Sequence, residues 1–231
     1  MVQALTPLSK LPNFDPERVP VIGVDHHLPA VPAARLAAQA LRDRFAQPPA
    51  WQPEVVRERK FAQRAPALAS VLVGIVTREE PTLLLTQRTA HLSTHSGQIA
   101  FPGGKVDPED ANAAATALRE AQEEVGLDPQ HVEVLGVLSE YVTGTSFIVT
   151  PVVALVDPSH VLVPNPHEVA AAFEVPLSFL MDPRHHQRHA FEAEGVRREW
   201  FSMPYQDGAQ QRFIWGATAG MLRNFYRFLM A

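Results

Sequence analysis

At 231 residues, 46% hydrophobic and 19% charged, the chain has the make-up of an ordinary folded protein with one large core plus extensions. It contains no cysteine, which excludes a disulfide framework, a cysteine–zinc site and a thiol nucleophile, and is the usage expected in a reducing cytoplasm. The formal net charge of −5 argues against a nucleic-acid partner, and no stretch approaches the roughly 20 apolar residues of a membrane span. A polyanionic small molecule would therefore have to be drawn in by local cations or a metal.

Residues 1–66 read as a Pro-rich N-terminal extension, broken by ten prolines, with one predicted helix from about Ala33 to Phe45. A basic cluster follows at Arg57, Arg59, Lys60 and Arg64, either a solvated face or a contact for a substrate phosphate. From residue 67 the texture becomes that of a folded domain running to 231. ASVLVGIVT from Ala69 and Thr82–Arg88 are predicted strands, joined through Arg78-Glu79-Glu80-Pro81 as a hairpin.

Next comes a Gly-Gly turn, Phe101-Pro102-Gly103-Gly104, where backbone without a Cβ can approach a ligand closely. A helix is predicted after it, capped by Asp107 with Pro108 at its first position, and stopping at Val125-Gly126. Glu120, Glu123 and Glu124 fall at i, i+3 and i+4 on one stripe of that helix. Ala114, Leu118, Ala121 and Val125 form the neighbouring stripe, suited to burial against a sheet. Most acidic runs on helices are solvated surfaces. Acids fixed at the edge of a packed face, however, repel one another, and a hard cation would relieve that repulsion. Oxygen ligands without cysteine favour Mg²⁺ or Mn²⁺.

Beyond the helix, Val132–Val142 and Phe147–Val156 are predicted strands, with Pro151 marking an edge or a bulge in the second. A Pro-rich loop over Val163–Val169 carries Glu168, which is either a helix-N-terminal acid or a candidate metal ligand or base. Arg197–Met203 reads as a strand, and an amphipathic C-terminal helix opens at Ile214 with Leu222, Phe225 and Leu229 on its buried side. His185, His186 and His189, or His91 and His95, have helical metal-ligand spacings, but no further ligands accompany them.

Residues 104–127 resemble the Nudix box, G-x5-E-x7-R-E-U-x-E-E-x-G-U. Gly104, Arg119-Glu120, Ala121, Glu123-Glu124 and Gly126-Leu127 match it. Asp110 stands at the first Glu position, and eight residues instead of seven separate it from Arg119. Residues 84–104 resemble the signature L-L-T-x-R-[SA]-x3-R-x3-G-x3-F-P-G-G of the coenzyme A pyrophosphatase branch, with Thr89 and Ser93 departing from it. NPHEVAAAFEVPLSFL resembles the same branch, which places a Glu near the metal site.

The resemblance implies an α/β fold, the Nudix α/β/α sandwich with a mixed β-sheet. It implies Mg²⁺- or Mn²⁺-dependent hydrolysis of coenzyme A to 4′-phosphopantetheine and adenosine 3′,5′-bisphosphate. Glu120 and Glu124 are implied as metal ligands, with Glu123 sharing that ion or holding a second one and the Gly103 carbonyl as backbone ligand. Either a box Glu or Glu168 is the base. Arg88, Gly104 and Lys105 are expected to contact substrate, and Arg119 to anchor an acid such as Glu123. Two alternatives stay open: a Nudix activity on ADP-ribose, dinucleotides or oxidised nucleotides, and a non-catalytic nucleotide sensor.

Overall fold

The computed structural model describes residues 6, 8, 11, 14–58, 65–90 and 97–231. Of the sequence expectations, Arg59, Lys60, Arg64, His91, Ser93 and His95 lie outside these residues.

The centre is an eight-stranded mixed sheet. Its strands are β2 (Ala67–Val76), β3 (Thr82–Arg88), β4 (Ile99–Ala100), β5 (Gly103–Lys105), β6 (Val132–Val137), β7 (Tyr141–Val142), β8 (Phe147–Val156) and β9 (Val169–Pro176). The main path runs β4-β3-β2-β8-β6, with β5 on β2, β7 on β8 and β9 on β3. β2 and β8 pair in parallel, and their apolar runs are unbroken because both faces are covered. On one face Leu72, Val76, Val152, Ala154 and Val156 bury against Ala117, Ala121 and Val125 of α3 (Ala113–Val125). On the other, Val73, Ile75, Val153 and Leu155 bury against Leu222, Phe225 and Leu229 of α5 (Gly216–Met230). The result is an α/β/α sandwich.

A second, four-stranded sheet has the order β1-β10-β11-β12, formed by Val21–Val24, Gln187–Ala193, Val196–Asp207 and Gln210–Trp215. Its first strand comes from the Pro-rich segment and pairs with β10 across more than 160 residues of sequence. The same segment sends Val31, Leu36 and Leu41 into the core beside α5. A short helix, α4 (Leu177–Leu180), links β9 to the second sheet.

Local structure departs from the sequence reading at several points. The helix expected over Ala33–Phe45 is two, α1 (Ala33–Leu36) and α2 (Ala38–Ala46), split where Ala37 is extended at φ −64° and ψ 146°. In one helix Leu36 and Leu41 would point about 140° apart at roughly 100° per residue, and the break lets both reach the core. The strand expected over Val132–Val142 is also two, and Pro151 lies inside β8 rather than at an edge. β6 pairs with Val152–Val156 and β7 with Ile148 and Val149, so the gap between them faces the proline, where no amide donor is needed. Ile214 and Trp215 end β12, and α5 begins at Gly216.

Asp107 does not cap α3. It opens a turn in which the Asp110 amide donates to the Asp107 carbonyl at 2.9 Å, and Asn112 caps the helix by accepting from the Ala115 amide at 3.0 Å. The helix stops where expected, at Gly126, which takes φ 69°. The three histidines do not converge. His185 stacks on Phe179, His186 is buried against the Leu180 carbonyl, and His189 accepts or donates between Val19 and Ser202.

Candidate active site

The acids of α3 meet two loops. Glu120, Glu123 and Glu124 share the helix stripe that their spacing dictates, while Ala117, Ala121 and Val125 bury beside them. Packed alongside is the β4–β5 turn, where the Gly103 amide donates to Glu124 Oε2 at 3.2 Å. From the other side the 165–168 turn closes in: the Asn165 amide donates to the Glu124 carbonyl at 2.8 Å, and the Glu168 carbonyl accepts from the Thr89 amide at 3.0 Å. Glu168 therefore sits in the expected loop, and the element that follows it is strand β9, so the alternative of a helix-N-terminal acid falls. Asn165 holds the turn through its side chain, which accepts from the His167 amide and donates to Glu168 Oε1 at 3.4 Å. The Asn-Pro-His-Glu string was the available signal for this anchor, and the sequence reading passed over Asn165.

Glu124 is buried, and its carboxyl is pushed up to about 7. Desolvation is the largest cause; the Gly103 amide and Arg88 oppose it, and the charges of Glu120 and Glu168 add to it. Glu120 is also raised by burial, against the pull of Arg119 and with the push of Glu123 and Glu168. The two carboxylates and Glu168 thus share one negative field. The nearest cation to Glu124 is Arg88, whose Nη1 stands 3.7 Å from Oε1 and whose buried Nε has no hydrogen-bond partner among the described residues.

Arg119 organises the exposed edge of this group. Its guanidinium takes Asp110 through Nε at 3.0 Å and Nη2 at 2.9 Å, Glu120 through Nη1 at 2.9 Å, Glu123 at 3.2 Å and the Lys105 carbonyl at 3.1 Å. The expected contact with Glu123 is present, but the bidentate partner is Asp110, held well below the usual carboxylate range by Arg119 and the Asp107 amide. The shorter side chain and the extra residue before Arg119 offset each other: the 107–110 turn delivers the Asp110 carboxylate to the guanidinium. Arg119→Ala is expected to lower kcat about ten- to a hundredfold by freeing Glu120. Asp110→Asn should act in the same direction, and steady-state kinetics of the double variant should show no loss beyond that of Arg119→Ala alone. Additive losses would mean that Asp110 acts elsewhere.

The glycines are fitted to this packing. A Cβ on Gly104 would overlap the Glu120 carboxylate, and one on Gly103 would come within 2.7 Å of Val71 Cα and overlap the Ser70 carbonyl. The two alanine variants should therefore differ. Gly104→Ala meets only a movable side-chain end and should cost about ten- to a hundredfold in kcat with little change in melting temperature. Gly103→Ala meets backbone and should cost about 1–3 kcal/mol of stability in urea titrations.

Among the described residues no three carboxylate or imidazole side chains stand close enough, as placed, to enclose an ion, since Glu120 and Glu123 are turned onto Arg119. The donor set nonetheless fits a hard divalent cation. It offers oxygen alone, two of its carboxylates are raised by burial and by mutual repulsion, and the missing Cβ of Gly104 leaves the room that the Glu120 carboxylate occupies. Arg88, Gly103, Gly104 and Lys105 line a cleft of about 1500 Å³ that continues between the two sheets to Trp200 and Trp215. Arg57 also lines it.

A mixed sheet sandwiched between helices, with a Gly-Gly turn seated on the carboxylates of an R-E-x-x-E-E helix, defines a class, and the NUDIX domain profile matches residues 68–202. The chain belongs to the Nudix family of hydrolases, which act on nucleoside diphosphate derivatives. It is similar to the uncharacterized Nudix hydrolase NudL of Escherichia coli K12, 46% identical over 157 residues that cover 68% of this chain and 79% of NudL. The NudL of Salmonella paratyphi B is similar to the same extent, 46% over 157 residues with the same coverage. Among solved structures, the Nudix hydrolase RenU of M. smegmatis aligns over 55% of this chain and 80% of its own, with 24% identity and a TM-score of 0.43. No helix among the described residues is long and apolar enough to cross a membrane.

Proposed function

We propose that this protein is a Mg²⁺- or Mn²⁺-dependent diphosphatase that cleaves coenzyme A to 4′-phosphopantetheine and adenosine 3′,5′-bisphosphate in the cytoplasm. One juxtaposition carries the reading. Arg88, Gly103 and Gly104, which belong to the 84–104 signature, line one cleft with Lys105, and Arg88 and Gly103 both touch Glu124 of the box helix. Glu120 and Glu124 would hold the metal, joined by Glu123 and the Gly103 carbonyl. A divalent ion held there would supply positive charge to the diphosphate and its leaving phosphate.

The chain's own groups do the rest. Lys105 and Arg88 supply positive charge at the diphosphate end of the cleft, where the chain as a whole carries a net negative charge. Gly104 lets the backbone approach the phosphates. Arg119 keeps Glu120 from swinging away. The proton of the attacking water passes to Glu168 or to a box carboxylate, both of which stand in the same negative field.

The test is product analysis. The protein is incubated with Mg²⁺ and, separately, coenzyme A, ADP-ribose and dinucleoside polyphosphates, and products are resolved by chromatography. Adenosine 3′,5′-bisphosphate from coenzyme A is the expected result. Turnover of another substrate in its place would move the assignment within the family, and turnover of none would favour a sensor.

A further inference from the structure

β2 and β8 are ten residues each and carry a single polar side chain apiece, Ser70 and Thr150, which their parallel register sets side by side. Residues two apart on a strand share a face, and Leu72 and Val152 bury against α3, so Ser70 and Thr150 face that helix as well. On its other side Ser70 pairs with Gly104. Directly paired residues project to one face with Cβ positions about 4.5–5.5 Å apart. The Cβ position of Gly104 is taken by the Glu120 carboxylate, whose Oε2 would lie 2.4 Å from it. The carboxylate thus rests over Gly104, with Ser70 as its neighbour on the sheet.

Ser70 is 0% exposed, and its Oγ has no hydrogen-bond partner among the described residues. A sealed hydroxyl without a partner destabilises the fold, and alanine would fill the same space without that cost. Thr150 is only half-buried, within reach of water. Glu120 shows the complementary deficit: its Oε1 accepts from Arg119 at 2.9 Å, while its Oε2 accepts no hydrogen bond among the described residues. A donor without an acceptor and an acceptor without a donor therefore meet at one point, on the sheet side of the acids and opposite the exposed edge that Arg119 holds.

We infer that Ser70 is a positioning residue for the metal site: with a divalent ion bound, its hydroxyl donates to Glu120 and fixes the orientation of that carboxylate against the sheet. The inference rests on the assignment of Glu120 as a metal ligand and is independent of which nucleotide is split. A carboxylate offers about four lone-pair sites, enough for Arg119, an ion and the serine together. Serine suits the position because a neutral donor steadies the ligand without repelling the cation, which a second guanidinium would do. Partners of this kind set the orientation of metal ligands, and their loss lowers metal affinity about ten- to a hundredfold.

Calorimetric titration of the full chain with Mn²⁺ in the absence of substrate, together with melting temperatures in EDTA, tests this. Ser70→Ala should weaken Mn²⁺ binding about tenfold or more. Its melting temperature in EDTA should stay within about 2 °C of wild type or rise, because an unpaired buried hydroxyl is lost. Thr150→Val, which removes the neighbouring hydroxyl at nearly constant shape, should change Mn²⁺ affinity by less than about twofold. Unchanged Mn²⁺ affinity in Ser70→Ala overturns the inference. So does a weakening that comes with a lowered melting temperature in EDTA or is matched by Thr150→Val, since either marks a general loosening of α3 on the sheet. The metal assignment fails on a different result: Mn²⁺ binding that is absent from the wild type, or undiminished in Glu120→Gln, removes the ion and the inference with it. Wild-type affinity in Ser70→Ala beside weakened binding in Glu120→Gln removes the role of Ser70 alone.

Discussion

Glu124→Gln is expected to lower kcat by about three orders of magnitude or more and, in chelator-treated buffer at pH 8, to raise stability. On the proposed role of Glu124 as a metal ligand, the catalytic loss follows from removing an anionic oxygen donor where a cation would offset charge on the diphosphate. Several kcal/mol are at stake there, and each 1.36 kcal/mol is a factor of about ten. The fold should survive because glutamine has the same shape and can still accept from the Gly103 amide. The gain in stability follows from burial. With the folded carboxyl pushed up to about 7 against an ordinary value of 4.5, the folded protein binds more protons than the unfolded chain between those two values. Stability of the metal-free wild type is therefore fully present below pH 4.5 and falls as pH rises through 7, by about 3 kcal/mol in all. The variant has no such carboxyl. Urea unfolding at pH 5 and pH 8 should show the two proteins close at the lower pH and the variant ahead at the higher. Near-normal turnover by Glu124→Gln would remove Glu124 from the ligand set.

Sequence alone reached β2, β3 and β8 of the large sheet and the box helix because these are written in local periodicity, but it did not read β9 as a strand. β2 and β8 are apolar on both faces and read as strands, and the stripe of Glu120, Glu123 and Glu124 follows from helical geometry. The errors lie where a long-range partner decides. Asp107 and Pro108 form a plausible cap, yet the Asp110 carboxylate is held by Arg119, Thr116 and the Asp107 amide, which makes residues 107–110 a turn and moves the cap to Asn112. Pro151 reads as the mark of an edge or a bulge, because the gap between β6 and β7 that it faces is a property of the partner strands. The second sheet joins residues 21–24 to 187–189, a pairing with no local signature. Helical spacing identified Leu222, Phe225 and Leu229 on α5 but passed over Arg223 between them, although it is the largest of the almost completely buried side chains. A stripe of apolar residues cannot announce a buried cation whose partners lie some 170 to 200 residues away.

Arg223→Ala is the second large effect expected, about 3–5 kcal/mol of lost stability. The guanidinium is 1% exposed and pairs with Asp25 at 2.8 Å and Glu54 at 2.7 Å, while its Nη1 donates to His186 Nδ1 at 3.1 Å. It lies between the rings of Phe201 and Tyr226, each 5.2 Å from its central carbon. Arg188 grips the same two carboxylates from β10, at 2.9 and 2.8 Å, and remains in the variant, which places the loss toward the lower end of that range. Burial alone would raise Asp25 and Glu54, but Arg188 and Arg223 outweigh it and hold both below their ordinary values. The network therefore contributes stability above the carboxylate range and loses it as pH falls through that range, so the deficit of Arg223→Ala should shrink in acid. Because residues 25 and 54 lie in the Pro-rich segment and 223 in α5, the variant also asks what that segment does. Adding Asp25→Asn and Glu54→Gln should recover part of the loss by leaving no unpaired buried carboxylate. If the segment and α5 unfold as one body, urea unfolding followed by tryptophan fluorescence and by circular dichroism will shift together with an unchanged slope. A separate early transition in Arg223→Ala would instead show residues 1–66 melting off an intact 67–231 domain, and with them the cleft wall that carries Arg57.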